Sequence, residues 1–207
     1  MHQTPPPPPA STPPSLGGAR LIYSGQWQAL PEAHGYYAAM LGDLLAERLV
    51  WGPQAPLVQR GNLTVGGPGY IWFRFWLLRD LQVVEKYFDA QGQALGTQID
   101  VCMPLAELPP RLRLGTFASA DKQIDGYCTT DLLLEIWIAV DGQVIVRNEA
   151  AFEQAARDGT LTAGEVHWAE ERVRKLTSAI AQRRFPPALI RNWQLDVQKV
   201  QESLSTS

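Results

Sequence analysis

The segment DLLLEIWIAVDGQVIVR, residues 131–147, predicts a β-hairpin. Apolar and β-branched residues flank Asp141-Gly142, and an Asp-Gly pair is a favoured two-residue turn between antiparallel strands. Successive side chains of a strand point to opposite faces, so Asp131, Leu133 and Glu135 are expected on one face. The segment therefore predicts an antiparallel sheet with two carboxylates on the same face.

Further strand-like segments, rich in β-branched and aromatic residues, occur between turn signals along the rest of the chain. We expect strands at residues 21–27, 48–51, 70–78, 82–88, 96–103, 130–140 and 143–147. Residues 31–47 have helical or irregular spacing of their apolar side chains. Many short strands joined by tight turns favour an antiparallel barrel or sandwich.

The pattern changes to helical spacing after residue 147. Asn148 is a natural cap for a short helix that Gly159 closes. Thr162-Ala-Gly-Glu165 is a capping box for a second helix that runs to about residue 183. A third helix is expected after Pro186-Pro187, at residues 188–201. These helices predict a cover on the sheet.

The fold class expected from these segments is α+β, a small antiparallel β-barrel with C-terminal helices packed on it. Residues 1–18 form a proline-rich tract that we expect to be a disordered arm, because it has too little apolar surface to offset the entropy of ordering. Residues 19–203 are expected to form a single domain, with strands in 19–147 and helices in 148–203.

Composition excludes several classes of function. None of the apolar runs in the 207 residues approaches the roughly 20 residues of a membrane-spanning helix. A net charge of −3 offers no basic surface for nucleic acid. The proline-rich beginning does not resemble a signal peptide, so we expect a cytoplasmic protein without membrane or nucleic-acid partners. With two Cys and three scattered His, any metal site would depend on oxygen ligands.

Acidic residues inside apolar strands are the strongest indication of chemistry. Asp100 interrupts Ile99 and Val101, and Asp131 and Glu135 bracket three leucines. A buried carboxylate is costly unless it meets a cation or several hydrogen-bond donors. Two interpretations follow: this face of the strands is exposed to solvent, or the carboxylates form a cation site.

Four stretches in order, covering a little over half of the chain, resemble a known family. They are residues 96–104, 131–135, 141–152 and 185–193. The chain resembles the small β-barrel phosphohydrolases long catalogued as a domain of unknown function. These include bacterial nucleoside tri- and diphosphate phosphatases and the FomD-type nucleotidyl hydrolase of fosfomycin biosynthesis. The resemblance implies a FomD-like barrel and a divalent cation, Mg²⁺ or Mn²⁺, as cofactor.

The resemblance also implies a set of metal ligands: Asp100, Asp131, Glu135 and Asn148. Leu133 stands where the family has a middle aspartate, and Ala151 where it has a glutamate. Residues four apart on a regular strand are separated by about 13 Å, too far to share one ion without that middle acid. The expected form is therefore a single ion held by Asp100, Asp131 and water, with Asn148 either a ligand or an ordinary helix cap.

The family's proposed acid is an arginine in an N-terminal stretch, and the corresponding residues 24–28 contain none. The nearest basic residues are Arg20, Arg74 and Lys86, none of which matches the family position. Arg74 alternates with Trp72 and Trp76, which indicates either a stacked surface ladder or a platform for a base and a phosphate. The proton donor is thus unassigned.

Two functions follow. The first is a divalent-metal-dependent phosphohydrolase acting on a nucleotide-like phosphate ester or anhydride, with a small-molecule nucleotide or phosphate ester as partner. The second is a catalytically impaired barrel that serves as a ligand-binding or protein-interaction module, motivated by Leu133 and Ala151.

Overall fold

The computed structural model describes residues 21–107, 118–119, 122–123 and 126–195. The expected proline-rich arm and residues 196–203 of the expected domain lie outside the described residues. The strands are β1 (Leu21–Tyr23), β2 (Ala33–Met40), β3 (Leu44–Trp51), β4 (Val58–Arg60), β5 (Leu63–Gly66), β6 (Ile71–Leu77), β7 (Gln82–Phe88), β8 (Ala94–Cys102), β9 (Ala106–Glu107), β10 (Ala118–Ser119), β11 (Lys122–Gln123), β12 (Tyr127–Ala139) and β13 (Val144–Arg147). The helices are α1 (Glu149–Arg157), α2 (Ala163–Ala181) and α3 (Ala188–Arg191), and a 3-10 helix spans Gln26–Ala29.

One antiparallel sheet in the order β1-β12-β8-β7-β6-β3-β2 forms a half-barrel, with β13 and β9 also paired to β12. The β4–β5 hairpin is a separate two-stranded sheet. Helices α1 and α2 pack against β12, and α2 also contacts β8. The expected antiparallel barrel with C-terminal helices is confirmed, including the hairpin at Asp141-Gly142. In the described part of the chain, no helix has the length and apolar character needed to cross a bilayer.

The expectation of helical or irregular structure in residues 31–47 is wrong. These residues form β2 and the beginning of β3, which pair from Ala33 with Trp51 to Met40 with Leu45. The turn between them has Gly42 at φ 64°, a left-handed conformation that glycine adopts without strain. Ala and Gly residues in β2 weaken the strand pattern, and pairing with the buried β3 determines the outcome.

The capping box at the start of α2 is confirmed: Thr162 accepts a bond from the Glu165 amide, and the Glu165 carboxylate accepts one from the Thr162 amide. The third helix is shorter than expected, since α3 ends at Arg191. Lys86 donates from Nζ to the carbonyls of Ile190 and Trp193, at 3.1 and 2.8 Å. This charged group binds the carbonyls at the end of the helix, where cations are favoured.

The two faces of the sheet differ in character. The helix face is apolar and forms the main core with α1 and α2; it includes Phe73, Phe75, Val84, Ile99 and Ile136. We call the opposite face the inner face. It carries two apolar groups, one around Trp51, Trp72, Tyr87 and Trp137 and one around Leu45, Trp76 and Cys102. Charged residues lie between these groups, which places the polar chemistry on the inner face.

Candidate functional site

The inner face presents its charged residues in two adjacent rows that run across the strands. The first row, in register from β3 to β12, contains Glu47, Arg74, Glu85, Gln98 and Trp137. The second row, from β3 to β13, contains Leu45, Trp76, Val83, Asp100, Glu135 and Arg147. We call these residues the charged rows. Strand pairing thus assembles residues that are up to 102 positions apart in the sequence, Leu45 and Arg147.

Arg74 is held inside the protein rather than on its surface. It is 7% exposed, and its Nη2 atom lies 2.7 Å from Oε1 of Glu85. Its guanidinium carbon lies 4.3 Å from the ring centroid of Trp27. The surface-ladder interpretation of Arg74 is therefore wrong. Strand β6 is central in the sheet, and Trp27 of the 3-10 helix covers Arg74 on the inner face.

Glu47, at the β3 end of the first row, is fully engaged by hydrogen bonds. It accepts from the Gly25 amide, the Tyr36 hydroxyl and Nε1 of Trp76, each at 2.5 Å. Burial, with Glu47 beside it, raises the pKa of Tyr36, so this phenol remains protonated and donates. These contacts make Glu47 a structural anchor for the N-terminal segment.

Asp100 is the buried acid of the second charged row. It is 6% exposed, and its Oδ1 accepts a 2.7 Å bond from Nε2 of Gln98. Burial raises its pKa well above the ordinary value, and the carboxylates of Glu85, Asp131 and Glu135 raise it further. Asp100 is therefore shielded from solvent, whereas Asp131 and Glu135, for which a solvent-exposed face is the alternative, are half-buried. Asp100 requires either a proton or a nearby cation.

A β-bulge in β12 brings Asp131 and Glu135 closer together than a regular strand would. Asp131 lies opposite Cys102 and Glu135 opposite Asp100, so four steps on β12 match two on β8. Two residue steps along a strand span about 7 Å, so Asp131 and Glu135 are drawn to about this separation. Residues four apart on a regular strand would be separated by about 13 Å. Asp131 Oδ1 accepts a 2.8 Å bond from the amide of Leu133, whose φ is 73°.

The bulge also redirects Leu133. The expected alternation placed Leu133 on the face of the two acids, but its side chain packs against the apolar cluster of the helix face. The extra residues of a bulge are unpaired and interrupt the alternation of the strand. Leu133, at the position that the resemblance matches to a middle aspartate, thus packs against the core rather than facing the acids.

Three arginines lie among the acids: Arg60, Arg74 and Arg147. Burial raises the pKa of Glu135, and the Arg60 and Arg147 guanidiniums oppose this effect. Several polar atoms in this group are inaccessible to solvent and lack a hydrogen-bond partner among the described residues: Arg60 Nε, Arg74 Nη1, Arg147 Nη1 and Gln98 Oε1. Buried polar groups are nearly always paired, so these atoms are available to an ordered water or to a ligand.

The four expected metal ligands are only partly brought together. Asp100, Asp131 and Glu135 interact electrostatically, but within residues 21–107 and 126–195 no three His, Cys, Asp or Glu side chains form a metal-binding group. Asn148 is exposed at the start of α1 with φ 66°. It occupies the cap position, but its side chain makes no cap hydrogen bond within the described structure.

These residues fit one divalent ion better than two. Magnesium accepts one or two carboxylates with water for its other ligands, which Asp100 with Asp131 or Glu135 can supply. The bridging acid of a two-ion centre is missing, because Leu133 is apolar and packs against the helix-face cluster, and Ala151 is apolar as well. The donor set therefore suits a magnesium-type ion with several water ligands.

Two other features do not contribute to this site. A cavity of about 820 Å³ lies on the helix face, lined by Thr97, Ile138, Ile180 and Phe185 among others, and includes no residue of the acidic group around Asp100. Burial raises the pKa of the Cys102 thiol to about 12, so it is not a thiolate nucleophile at neutral pH.

Sequence reasoning missed Glu47, Glu85, Arg60 and Arg147. Glu85 carries the signal that identified Asp100, a charged residue inside an expected apolar strand, and the same search would have found it. Glu47 belongs to residues 31–47, for which the spacing predicts no strand, so that search does not find it. Arg60 and Arg147 have no such signal, because each lies at the end of a strand next to a turn or helix.

No protein-family model and no curated protein matches the chain. Solved structures do match. The crystal structure of the phosphatase SC4828 with the non-hydrolysable nucleotide GPCP aligns at a TM-score of 0.53 and 15% identity, covering 79% of this chain and 90% of that chain. The structure of FomD with CDP aligns at a TM-score of 0.53 and 14% identity, covering 78% of this chain and 83% of that chain. A DUF402 protein of unknown function from Rhodococcus sp. RHA1 aligns at a TM-score of 0.47 and 9% identity, covering 77% of this chain and 82% of that chain. The FomD-like fold implied by the sequence resemblance is confirmed.

Proposed function

We propose that this chain is a phosphohydrolase that binds a nucleotide-like phosphate ester or anhydride at the charged rows of the inner face. The observation that carries the proposal is the buried Asp100 carboxyl, surrounded by acids and by guanidiniums with unpaired N–H groups. This cluster of buried acids and guanidiniums is stabilised when a cation binds the acids and an anion binds the guanidiniums. A metal-bound phosphate is a ligand of this kind.

Among the described residues, the charge balance supports the cation of this ligand. Five carboxylates (Glu47, Glu85, Asp100, Asp131 and Glu135) interact with three guanidiniums (Arg60, Arg74 and Arg147). With all groups ionised the excess is two negative charges, which one divalent cation neutralises. Asp100 and Asp131 would hold this ion, with Glu135 and Asn148 as the other proposed ligands. When bound, Mg²⁺ or Mn²⁺ would neutralise phosphoryl oxygens and lower the pKa of a bound water.

The fold supports a nucleotide as the phosphate carrier. The structures of SC4828 and FomD, which share this fold, hold the nucleotides GPCP and CDP. Sites of similar folds do not transfer function by themselves, so the argument depends on the charged rows. The side chains of the charged rows support binding of a phosphate with a cation, and the fold suggests that this phosphate belongs to a nucleotide.

The test is a phosphate-release screen over nucleoside di- and triphosphates with magnesium, manganese or cobalt. Asp100→Asn and Asp131→Asn are expected to lower turnover by about 100-fold or more, as loss of transition-state charge stabilisation does elsewhere. Asp141→Asn is the matched control, because it makes the same change at an exposed hairpin turn that accepts Asn-Gly equally well. Full turnover in both site variants would exclude this site.

A second function, a binding module without catalysis, is favoured by Leu133 and Ala151 at family ligand positions. It predicts no phosphate release with any substrate in the screen. Titration with Mn²⁺ distinguishes the two: the hydrolase requires micromolar binding that weakens in Asp100→Asn, whereas the module requires none.

A further inference from the structure

Arg147 has a fixed place in the second charged row. It is the last residue of β13 and lies in register with Glu135, which is in turn opposite Asp100. Its guanidinium carbon lies 4.7 Å from the ring centroid of Trp137. Trp137 stacks on Tyr87 and is almost fully buried. A rigid aromatic surface therefore positions the half-buried guanidinium beside the acids.

Arg60 reaches the same acids from a different segment. The β4–β5 hairpin packs on the inner face through Val58 and Val65, which belong to the apolar group of Trp72 and Tyr87. Nε1 of Trp72 donates a 2.6 Å bond to the Val65 carbonyl and fixes the hairpin. Burial lowers the pKa of Arg60, but Tyr87 and the nearby carboxylates raise it above its ordinary value. Arg60 is therefore a permanent cation at this site.

Both guanidiniums have donors with no acceptor. Arg60 Nε and Arg147 Nη1 have neither solvent contact nor a hydrogen-bond partner among the described residues. In the same part of the chain, no salt bridge joins either of them to Glu135. Gln98 and Arg74, which are 3% and 7% exposed, also have one unpaired polar atom each in the first charged row. The acids of the described residues thus do not satisfy these donors.

We propose that Arg60 and Arg147 are the phosphate-binding residues of this site, donating to the phosphoryl oxygens of the substrate next to Glu135. The inference rests on the proposed function and adds residues that its metal ligands do not include. A guanidinium matches the oxygens of phosphate as a planar fork. A phosphate with its metal ion suits this site better than a carboxylate ligand does, because the same complex also supplies the cation that the neighbouring acids require.

The test measures binding of inorganic pyrophosphate to the full chain by calorimetry at fixed magnesium, separately from phosphate release. Arg60→Gln and Arg147→Gln are each expected to weaken binding by about 10- to 100-fold, the effect of losing a charged hydrogen bond. Arg60→Lys and Arg147→Lys keep the charge but lose the fork and are expected to recover only part of the affinity. Arg174→Gln, a change on the exposed face of α2, is expected to bind as the unchanged protein does.

Thermal unfolding of each variant shows whether it is folded, and the Lys variants replace any Gln variant that is not. Pyrophosphate affinity equal to that of the unchanged protein in folded Arg60 and Arg147 variants would overturn the inference. Absence of pyrophosphate binding to the unchanged protein would overturn it as well. In either case phosphate release that depends on Asp100 would leave the proposed hydrolase in place, so the two failures are distinguishable.

Discussion

Asp131 and Glu135 are four positions apart on β12 but face neighbours that are only two positions apart on β8, Cys102 and Asp100. The bulge that produces this relationship places Leu133 in a left-handed conformation and turns its side chain towards the helix face. Two acids that a regular strand would separate are thereby drawn towards Asp100. The geometry of the site depends on this bulge, which leads to the first prediction.

Leu133→Asp is expected to destabilise the protein rather than restore a family ligand. The new carboxylate would enter the apolar helix-face cluster without a partner, at a cost of about 1–3 kcal/mol. Urea denaturation measures the change in the free energy of unfolding. Leu133→Met, which keeps an apolar side chain, is the control and is expected to cost less than about 1.5 kcal/mol. A stable Leu133→Asp variant with tighter Mn²⁺ binding would show that this side chain can reach the acids.

Stability in a metal-free buffer is expected to fall as the pH rises above 3.8, the ordinary pKa of Asp100. Burial and the neighbouring carboxylates raise the pKa of Asp100 in the folded state, so the folded protein binds more protons than the unfolded chain in this window. The stabilisation is complete below 3.8 and is lost as the pH passes through the raised value.

Denaturation in EDTA at a series of pH values tests this expectation. Asp100→Asn removes the titrating group, so its stability is expected to decline less steeply with pH, and Asp141→Asn is expected to follow the unchanged protein. Identical slopes in the two variants would contradict the assignment of the raised pKa to Asp100.

Breaking the buried pair of Arg74 and Glu85 is expected to cost about 3–5 kcal/mol in Arg74→Met or Glu85→Gln, because each leaves an uncompensated charge or donor inside the protein. The double variant is expected to lose less than the sum of the two single changes. Chemical denaturation of the four proteins completes the cycle. The exposed pair Arg79 and Asp43 is the matched control, with an expected coupling of about 0–1 kcal/mol. Additive losses at Arg74 and Glu85 would show that the pair is not coupled.

Gly96→Ala is expected to destabilise the sheet next to the site. An added Cβ would lie 2.2 Å from the Trp137 ring, so the ring would have to move. A cost of about 1–3 kcal/mol follows, with a weaker contact between Trp137 and Arg147. Trp fluorescence and denaturation report the change. Gly164→Ala, in the first turn of α2 with open space around it, is expected to be neutral or stabilising. Equal stability of the two variants would contradict this packing.

Much of the secondary structure follows from local chemistry in the sequence. Strand β7 was predicted with the bounds that it has, Gln82–Phe88, because its β-branched and aromatic residues lie between clear turns. The Asp141-Gly142 hairpin and the Thr162-Glu165 capping box were also correct, since turns and caps depend on a few adjacent residues. The acids of the site, Asp100, Asp131 and Glu135, were recognised because a carboxylate inside an apolar strand is unusual.

Tertiary structure decided what surrounds those acids. Pairing with β3 made a strand of β2, whose alanines and glycine carry little strand preference of their own. The bulge in β12 arises from its pairing with β8 and set the distance between Asp131 and Glu135. Arg60 meets the acids only because its hairpin packs across the inner face. Sequence by itself determined which elements form and which residues are chemically unusual. Long-range pairing and packing determined which of those residues meet. These contacts join segments that are far apart in the sequence, and local conformational preferences carry no information about them.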